Sequence, residues 1–165
     1  MRKVVQCRYN RKRCLGLSDG IIRKNFVIPA NDFTLAGEAS STVKKMLIQL
    51  GADPQKIKKT AISMYEAELN AVIHANGGVA EVEIDRNKVF IRIKDEGPGI
   101  PDLELAMQEG YTTAPDSIRE MGFGAGMGLP NMKRYADKLE IITEVGKGTI
   151  VEITVFLTDN EKENH

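Results

Sequence analysis

Two short runs of alternating apolar and polar residues most constrain the fold of this 165-residue chain. In residues 80–84 and 89–93 every second position holds Ala, Val or Ile, and Arg86-Asn87 lies between the two runs. Because the side chains of a strand point alternately to its two faces, each run predicts a half-buried strand. The two runs together predict a β-hairpin with one apolar face, which helices elsewhere in the chain should cover.

Patterns on either side of this hairpin predict an α/β domain of the α+β kind. Helical spacing over 33–50 predicts a first helix, and Asp53-Pro54 is typical of the start of a second helix that ends near residue 75. The remaining predicted elements are strands at 25–29, 139–145 and 149–157, a short helix at 101–109 and a helix at 127–137. This order predicts a two-layer sandwich in which helices pack on one face of a mostly antiparallel mixed sheet.

The two ends of the chain are expected to lie outside this domain, which we assign to residues 26–157. Residues 1–25 contain eight basic residues and one acidic residue, which is typical of a flexible arm but can also serve nucleic-acid or acidic-partner binding. Cys7 and Cys14 lie there without a usual zinc spacing, so we expect reduced thiols. Residues 158–165 are expected to be frayed. No apolar run is long enough for a bilayer or a signal peptide, so we expect a cytoplasmic protein.

Asp95 is a carboxylate in an unusual position. It follows Ile93 by two residues in the second hairpin strand, so it occupies the next position on the apolar face. It should therefore point toward the buried face, where an unpaired carboxylate is costly. One interpretation is that the strand has ended and Asp95 caps the turn at Gly97-Pro98-Gly99. The other is that Asp95 accepts the amino group of a ligand in a pocket. Thr149 favours this second interpretation, because it is also polar at an inward position of a strand.

Glu66 and Asn70 lie four residues apart on the second predicted helix and share one face, which His74 continues. An amide oxygen can complete the coordination of Mg²⁺, and a carboxylate one turn away can accept a proton from an attacking hydroxyl. A solvated helix face is the alternative that this spacing leaves open. Glu68 is a rival base, but it should point to a different side of the helix. His74 is expected to orient its neighbours, and a direct catalytic role is the alternative.

A glycine ladder leads directly into the helix predicted near residue 127. It consists of Gly122, Gly124, Gly126 and Gly128 and is followed by Leu129. Glycine lets backbone N–H groups approach an anion, and a helix N-terminus favours negative charge, so a phosphate cradle is favoured over a flexible hinge. The ladder is neither a dinucleotide fingerprint nor a P-loop, because no strand precedes it and no Gly-Lys-Ser/Thr ends it. Residues 110–126, rich in Gly, Thr and Pro, predict a functional or mobile loop.

Four segments resemble, in order and spacing, the sequence boxes of the GHKL ATPase/kinase superfamily. They are Glu66-x-x-x-Asn70, Asp95-x-Gly97-x-Gly99, the glycine ladder and Gly146-x-Gly148-Thr149. Residues 95–101 and 109–113 make the chain most similar to bacterial anti-sigma-factor serine/threonine kinases and related switch kinases. The resemblance covers about residues 26–157. It implies the Bergerat-type ATP-binding fold, Mg-ATP binding and a mobile lid over 100–126.

The same resemblance implies the role of each site residue. Glu66 would be the catalytic base, Asn70 the Mg²⁺ ligand, Asp95 the adenine ligand and Thr149 a supporting adenine contact. The other nucleotide-binding positions would be Gly97, Gly99, the four ladder glycines and Leu129.

The function implied by the resemblance is a serine/threonine protein kinase that phosphorylates a regulatory partner and controls transcription by partner switching. The partner would be a sigma factor, a STAS-type anti-sigma antagonist or both. A homodimer is compatible with it, whereas we expect no direct nucleic-acid binding and no membrane attachment. The segment between Tyr111 and Gly122 is longer than in switch kinases, which leaves the partner open. The alternatives are a nucleotide-gated binding module without phosphotransfer and a histidine-kinase-like catalytic domain.

Overall fold

A five-stranded sheet carries the helices of this chain on one face in the computed structural model, which describes residues 20–159. The elements in chain order are β1 Ile22–Ile28, α1 Glu38–Gln49, α2 Pro54–Ala75, β2 Gly78–Ile84, β3 Lys88–Lys94, α3 Leu103–Ala106, α4 Asp116–Glu120, α5 Gly128–Tyr135, β4 Lys138–Glu144 and β5 Gly148–Phe156. The predicted two-layer α/β sandwich is confirmed.

The strand order of the sheet is β1-β2-β3-β5-β4, and all four pairings between described strands are antiparallel. Ile91 in the central strand lies opposite Val82 on one side and Ile153 on the other, and Ile153 in turn lies opposite Leu139. The first three of these side chains are buried beneath the helices. The alternation in the hairpin sequence therefore predicted the buried face correctly.

Helix α2 is the central support of the helical layer, and it packs against α1, α5 and the sheet. It begins where the sequence predicted, because the Asp53 side chain accepts hydrogen bonds from the backbone N–H groups of Gln55 and Lys56 at 2.8 and 3.3 Å. It ends at Asn76, whose φ of 56° stops the helix. Helix α2 thus carries Glu66, Asn70 and His74 past the ends of the central strands.

Helix α1 begins at Glu38, so the prediction of a helix from residue 33 was wrong at its start. Gly37 has a φ of 91° and interrupts the helical backbone there. Glu68 of α2 accepts hydrogen bonds from the N–H groups of Gly37, Ala39 and Ser40 at 3.0, 3.2 and 3.1 Å. The cap of α1 comes from another helix, and Glu68 points away from the face of Glu66, as predicted.

The ends of the described chain differ from the predicted boundaries. Strand β1 begins at Ile22 rather than at residue 25, and Arg23, which we had assigned to the arm, bonds Glu83 of β2 at 3.1 Å. Lys56 bonds Asp159 at 3.1 Å, so this residue of the predicted frayed tail contacts α2. Residues 1–19 of the arm, with Cys7 and Cys14, and residues 160–165 lie outside the described residues.

The segment between β3 and α5 is more structured than its sequence suggested. The predicted helix at 101–109 is reduced to α3, with Asp102 capping it through the backbone N–H of Leu105 at 2.9 Å. The five-residue helix α4 lies inside the stretch that we had predicted to be a loop. We call residues 100–126 the lid; its mobility stays a prediction. Within residues 20–159, none of the helices has the length and apolar character needed to cross a membrane.

Candidate functional site

A cavity of about 710 Å³ opens between α2, the lid, the start of α5 and the ends of β3 and β5. This volume is within the range of small-molecule binding sites. The predicted site residues that line it are Glu66, Asn70, Asp95, Gly99, Gly122, Gly124, Gly126, Gly128, Leu129 and Thr149. Gly97 does not line it. The fold therefore brings together segments that are far apart in the sequence, while the role of each residue stays a prediction.

Asp95 combines the two interpretations that its sequence position allowed. Its Oδ1 accepts hydrogen bonds from the backbone N–H of Gly97 at 2.9 Å and of Thr149 at 3.1 Å, so it does fix the turn. Its Oδ2 accepts no hydrogen bond from the described residues, although Asp95 lines the cavity. One carboxylate oxygen is therefore available to a donor such as the amino group of a heterocycle.

Gly97 acts through its backbone rather than as part of the cavity wall. Its N–H is one of the two donors to Asp95, and a Cβ at this position would lie only 2.5 Å from the Cβ of Ala75. Any side chain here would push the turn away from the end of α2. Gly97 thus holds Asp95 against the helix that carries Asn70.

Thr143 supports the site from behind the cavity wall, and the sequence did not lead us to it. Its hydroxyl lies 3.0 Å from the hydroxyl of Thr149 and accepts a hydrogen bond from the N–H of Ile100 at 2.8 Å. It joins the end of β4 to β5 and to the first residue of the lid. The sequence did contain a signal for Thr143. In β4 it lies on the same strand face as Leu139 and Ile141, so it is a polar residue on the inward face, as Thr149 is in β5.

The predicted face of α2 does point into the cavity, since Glu66, Asn70 and His74 all line it. The side-chain amide of Asn70 has no hydrogen bond with another described residue, which leaves its oxygen available to a metal ion. Glu66 Oε1 accepts a hydrogen bond from Nδ2 of Asn131 in α5 at 2.7 Å. Sequence spacing gave no indication of Asn131, because the contact joins two helices that are distant in the sequence.

His74 lies between Asp95 and the lid. Burial lowers the pKa of His74 below its usual range, and the negative charge of Asp95 opposes this shift only in part. Its Nδ1 lies 3.4 Å from the hydroxyl of Thr113 in the lid. The lowered pKa favours the uncharged imidazole, and the ring contacts the lid. The orienting role of His74 stays a prediction.

The last three glycines of the ladder pack closely against neighbouring atoms, whereas a Cβ on Gly122 would meet no atom within 4 Å. A Cβ on Gly126, which has a φ of 75°, would lie 2.5 Å from the carbonyl carbon of Gly110, whose N–H donates to the Gly126 carbonyl at 2.9 Å. A Cβ on Gly128 would lie 3.0 Å from Oδ1 of Asn70. The ladder therefore closes the lid loop and sets the start of α5 directly against Asn70.

The first turn of α5 presents unpaired backbone donors beside the cavity. No side chain of residues 20–159 caps this helix, and Pro130 has no N–H, so Gly128 and Leu129 carry the donors of its first turn that have no partner in this part of the chain. Both residues line the cavity. A helix N-terminus with free N–H groups is suited to an anion such as a phosphate.

The charges around the cavity indicate how a polyphosphate would be neutralised there. Among the described residues no Lys or Arg lines the cavity, whereas Glu66, Asp95 and Asp102 do. Residues 20–159 also contain no cluster of three His, Cys, Asp or Glu side chains that could hold a metal ion by themselves. Mg²⁺ fits this donor set, because it is commonly held by one or two protein oxygens together with phosphate oxygens and water.

Comparison with known proteins places this cavity in a family. The family model described as "Histidine kinase-, DNA gyrase B-, and HSP90-like ATPase" matches residues 62–159, from α2 to the end of β5. The chain belongs to the HATPase_c family. It therefore has an ATPase-type, ATP-binding domain, and the resemblance stated from the sequence is confirmed.

Curated relatives of this HATPase_c chain are named "Anti-sigma F factor". That of Caldanaerobacter subterraneus subsp. tengcongensis is 35% identical over 127 residues, which cover 74% of this chain and 85% of the relative. That of Thermoanaerobacter sp. strain X514 is 34% identical over 124 residues, which cover 72% and 83%. That of Geobacillus stearothermophilus is 35% identical over 119 residues, which cover 68% and 78%.

A solved structure shares the fold of this HATPase_c domain. It is the structure of the RsbU and RsbW domains of Rv1364c from Mycobacterium tuberculosis, with a TM-score of 0.55 and 16% identity. The match covers 81% of this chain and 32% of that longer one. At this identity the likeness supports the fold alone.

Proposed function

We propose that this chain is an anti-sigma-factor-type serine/threonine protein kinase. It transfers the γ-phosphate of ATP to a serine or threonine of a regulatory partner protein and so controls transcription by partner switching. The partner is a sigma factor, a STAS-type anti-sigma antagonist or both, and the reaction takes place in the cytoplasm. The observation that carries this proposal is the single cavity lined by Asp95, the pair Glu66 and Asn70, and the first turn of α5.

Each group has a chemical task in this scheme. Asp95 accepts the adenine amino group through Oδ2, with Thr149 beside it, and the N–H groups of Gly128 and Leu129 contact the phosphates. Mg²⁺ would be held by Asn70 and would neutralise phosphate charge that no cation of the described cavity offsets. Glu66 accepts the proton of the substrate hydroxyl while that oxygen bonds to the γ-phosphorus and ADP leaves.

A nucleotide-gated binding module is the second candidate, because it needs the same cavity but no base. The site favours the kinase, since Glu66 lies one turn from Asn70 on the cavity wall and so has a place beside the reacting phosphate. A binding module would have no use for a carboxylate there, because a negative charge beside a polyphosphate weakens binding.

The test compares Glu66→Ala and Asn70→Ala in the full-length chain with Glu140→Ala as a control, since Glu140 is an exposed carboxylate on β4, outside the lid and the cavity. Acceptor proteins are first captured from lysate with and without Mg-ATP, and transfer of labelled γ-phosphate to them is then measured. Glu66→Ala should retain nucleotide affinity and lose about 10²–10⁴-fold in transfer rate. Asn70→Ala should weaken binding and transfer together, and Glu140→Ala should do neither.

Two results would contradict the proposal. A Glu66→Ala variant that transfers phosphate at the wild-type rate would remove the assigned base. If no captured protein is ever labelled, although nucleotide controls its capture, the chain is the nucleotide-gated module.

A further inference from the structure

We propose that Asn131 is a positioning residue for Glu66: it holds that carboxylate from outside the cavity and ties it to the helix that follows the glycine ladder. This inference rests on the proposed function, in which Glu66 is the base, and it concerns how that base is kept in position. The four sequence segments that carry the family resemblance do not include Asn131.

The contact between the two side chains is short and has one chemically sensible orientation. Nδ2 of Asn131 lies 2.7 Å from Oε1 of Glu66. An ionised carboxylate can only accept, so the amide nitrogen must face it, and such charge-assisted bonds are stronger than neutral ones. Because Glu66 lines the cavity and Asn131 does not, the amide approaches from the side away from the substrate. Oε2 of Glu66 has no protein donor among the described residues and is left for the substrate hydroxyl.

Helix α5 lies against both Asn70 and Glu66 of α2: Gly128 is beside Asn70, and Asn131, one turn later on α5, bonds Glu66. Gly128 and Asn131 are three residues apart on α5, while Asn70 and Glu66 are four apart on α2, so each pair lies on one helix face. A Cβ on Gly128 would meet the Asn70 amide at 3.0 Å, and Asn131 bonds Glu66. The backbone N–H of Asn131 also donates to the carbonyl oxygen of Met127 at 2.8 Å, which places Asn131 in the first turn of α5.

An amide is the side chain that this position requires. A lysine or arginine would form an ion pair that lowers the basicity of Glu66, and a second carboxylate would repel it. A leucine, which has the same branching as asparagine but no polar atom, would leave Oε1 without its donor. Asn131 orients Glu66 without adding a charge, and because Gly128 and Leu129 lie on the same short helix, the base and the phosphate donors keep a fixed separation.

The first experiment reads the contact itself in the full-length chain without nucleotide. In ¹⁵N-labelled protein the side-chain amide signals of Asn131 are assigned by their loss in Asn131→Leu. Glu66→Ala should shift these signals, whereas Glu140→Ala should leave them unchanged. Asn131 signals that are identical in Glu66→Ala and the wild type would overturn the proposal, because the amide would then not be bonded to Glu66.

The second experiment is a double-mutant cycle of phosphate transfer from Mg-ATP to the labelled acceptor. Asn131→Leu should lower kcat about 10- to 100-fold, the range of a charge-assisted hydrogen bond, with nucleotide Kd unchanged within about twofold. Lys133→Leu, on the exposed side of the same helix, should have no effect. In the Glu66→Ala background, Asn131→Leu should cause no further loss, because a positioning residue acts only through the group that it positions.

The outcomes separate this inference from the proposed function. An equal loss from Asn131→Leu with and without Glu66 would show that Asn131 acts through α5 or the ladder, and would overturn the positioning role while leaving the kinase intact. An unchanged kcat in Asn131→Leu would overturn it as well. Wild-type transfer by Glu66→Ala would instead overturn the assignment of the base, whatever Asn131 does.

Discussion

Glu66 and Glu68 are two residues apart on α2, and substitution by glutamine should affect the stability of the domain strongly at Glu68 and little at Glu66. Glu68 is 1% exposed and accepts three backbone N–H groups at the start of α1. Its Oε1 serves Gly37 and Ala39, and its Oε2 serves Ser40. Glu68→Gln retains one acceptor oxygen but turns an amide N–H₂ toward a backbone donor. Glu66→Gln, by contrast, changes a partly exposed carboxylate on the cavity wall.

The magnitude of the Glu68→Gln effect follows from these contacts. Losing one buried hydrogen bond to a charged acceptor costs about 1.5–3 kcal/mol, and losing the negative charge at the N-terminus of α1 costs about 0.3–1 kcal/mol. The free energy of unfolding should therefore fall by roughly 2–4 kcal/mol. For a domain of this size that corresponds to a drop in Tm of roughly 4–16 °C. Glu66→Gln should cost less than about 1 kcal/mol, because its one side-chain partner is a neutral amide.

Urea and thermal unfolding followed by circular dichroism measure both variants, and a fluorescent-nucleotide titration well below Tm checks the cavity. Glu68→Gln should bind nucleotide normally at low temperature, and Glu66→Gln should unfold close to the wild type. A Glu68→Gln variant as stable as the wild type, or more stable, would refute the reasoning. In that case the desolvation of a buried carboxylate without a cation would outweigh its three hydrogen bonds.

Three further outcomes are expected. Asp95→Asn should lower nucleotide affinity by about 10- to 100-fold in a fluorescent titration, because its Oδ1 can keep the turn while the amide N–H₂ faces the adenine amino group; wild-type affinity would contradict the adenine assignment. Residues 110–126 should be cut by protease in the free chain and protected by Mg-ATP, so identical cleavage patterns would argue against lid closure. Burial would raise the pKa of Asp137, but hydrogen bonds from Lys59 at 2.8 Å and Phe156 N–H at 2.9 Å lower it. Asp137→Asn should therefore destabilise the chain above the ordinary pKa of 3.8, with the difference lost as pH falls through the lower folded value.

The features that could be predicted from the sequence are those in which one segment carries its own signal. The alternation in 80–94 predicted the hairpin and its buried face, and Asp53-Pro54 predicted the start of α2. The inward parity of Asp95 and Thr149 brought both to the cavity, where the backbone N–H of one bonds the carboxylate of the other at 3.1 Å. Applied to β4, the same parity argument would have found Thr143.

The features that could not be predicted depend on contacts between segments. The start of α1 was placed five residues early because apolar spacing continues through Phe33 and Ala36, while the cap that defines the helix comes from Glu68. Helix α4 is five residues long in a polar stretch, so it has no apolar period to detect. Asn131 is an ordinary helix residue until α5 packs on α2.

Helix α2 explains why two carboxylates so close in the sequence can have separate tasks. Two residues along a helix turn the side chain by about 200°, so Glu66 and Glu68 face opposite sides of α2. One side meets the cavity and α5, where a single amide holds Glu66 and one of its oxygens is left unpaired. The other side meets α1, where all the donors are backbone groups and the carboxylate is enclosed. Glu68 is the observed cap of α1, whereas the proposed function makes Glu66 a base, which must keep an accessible oxygen. The packing partners of α2, more than the residue type, therefore decide which of the two carboxylates is suited to each role.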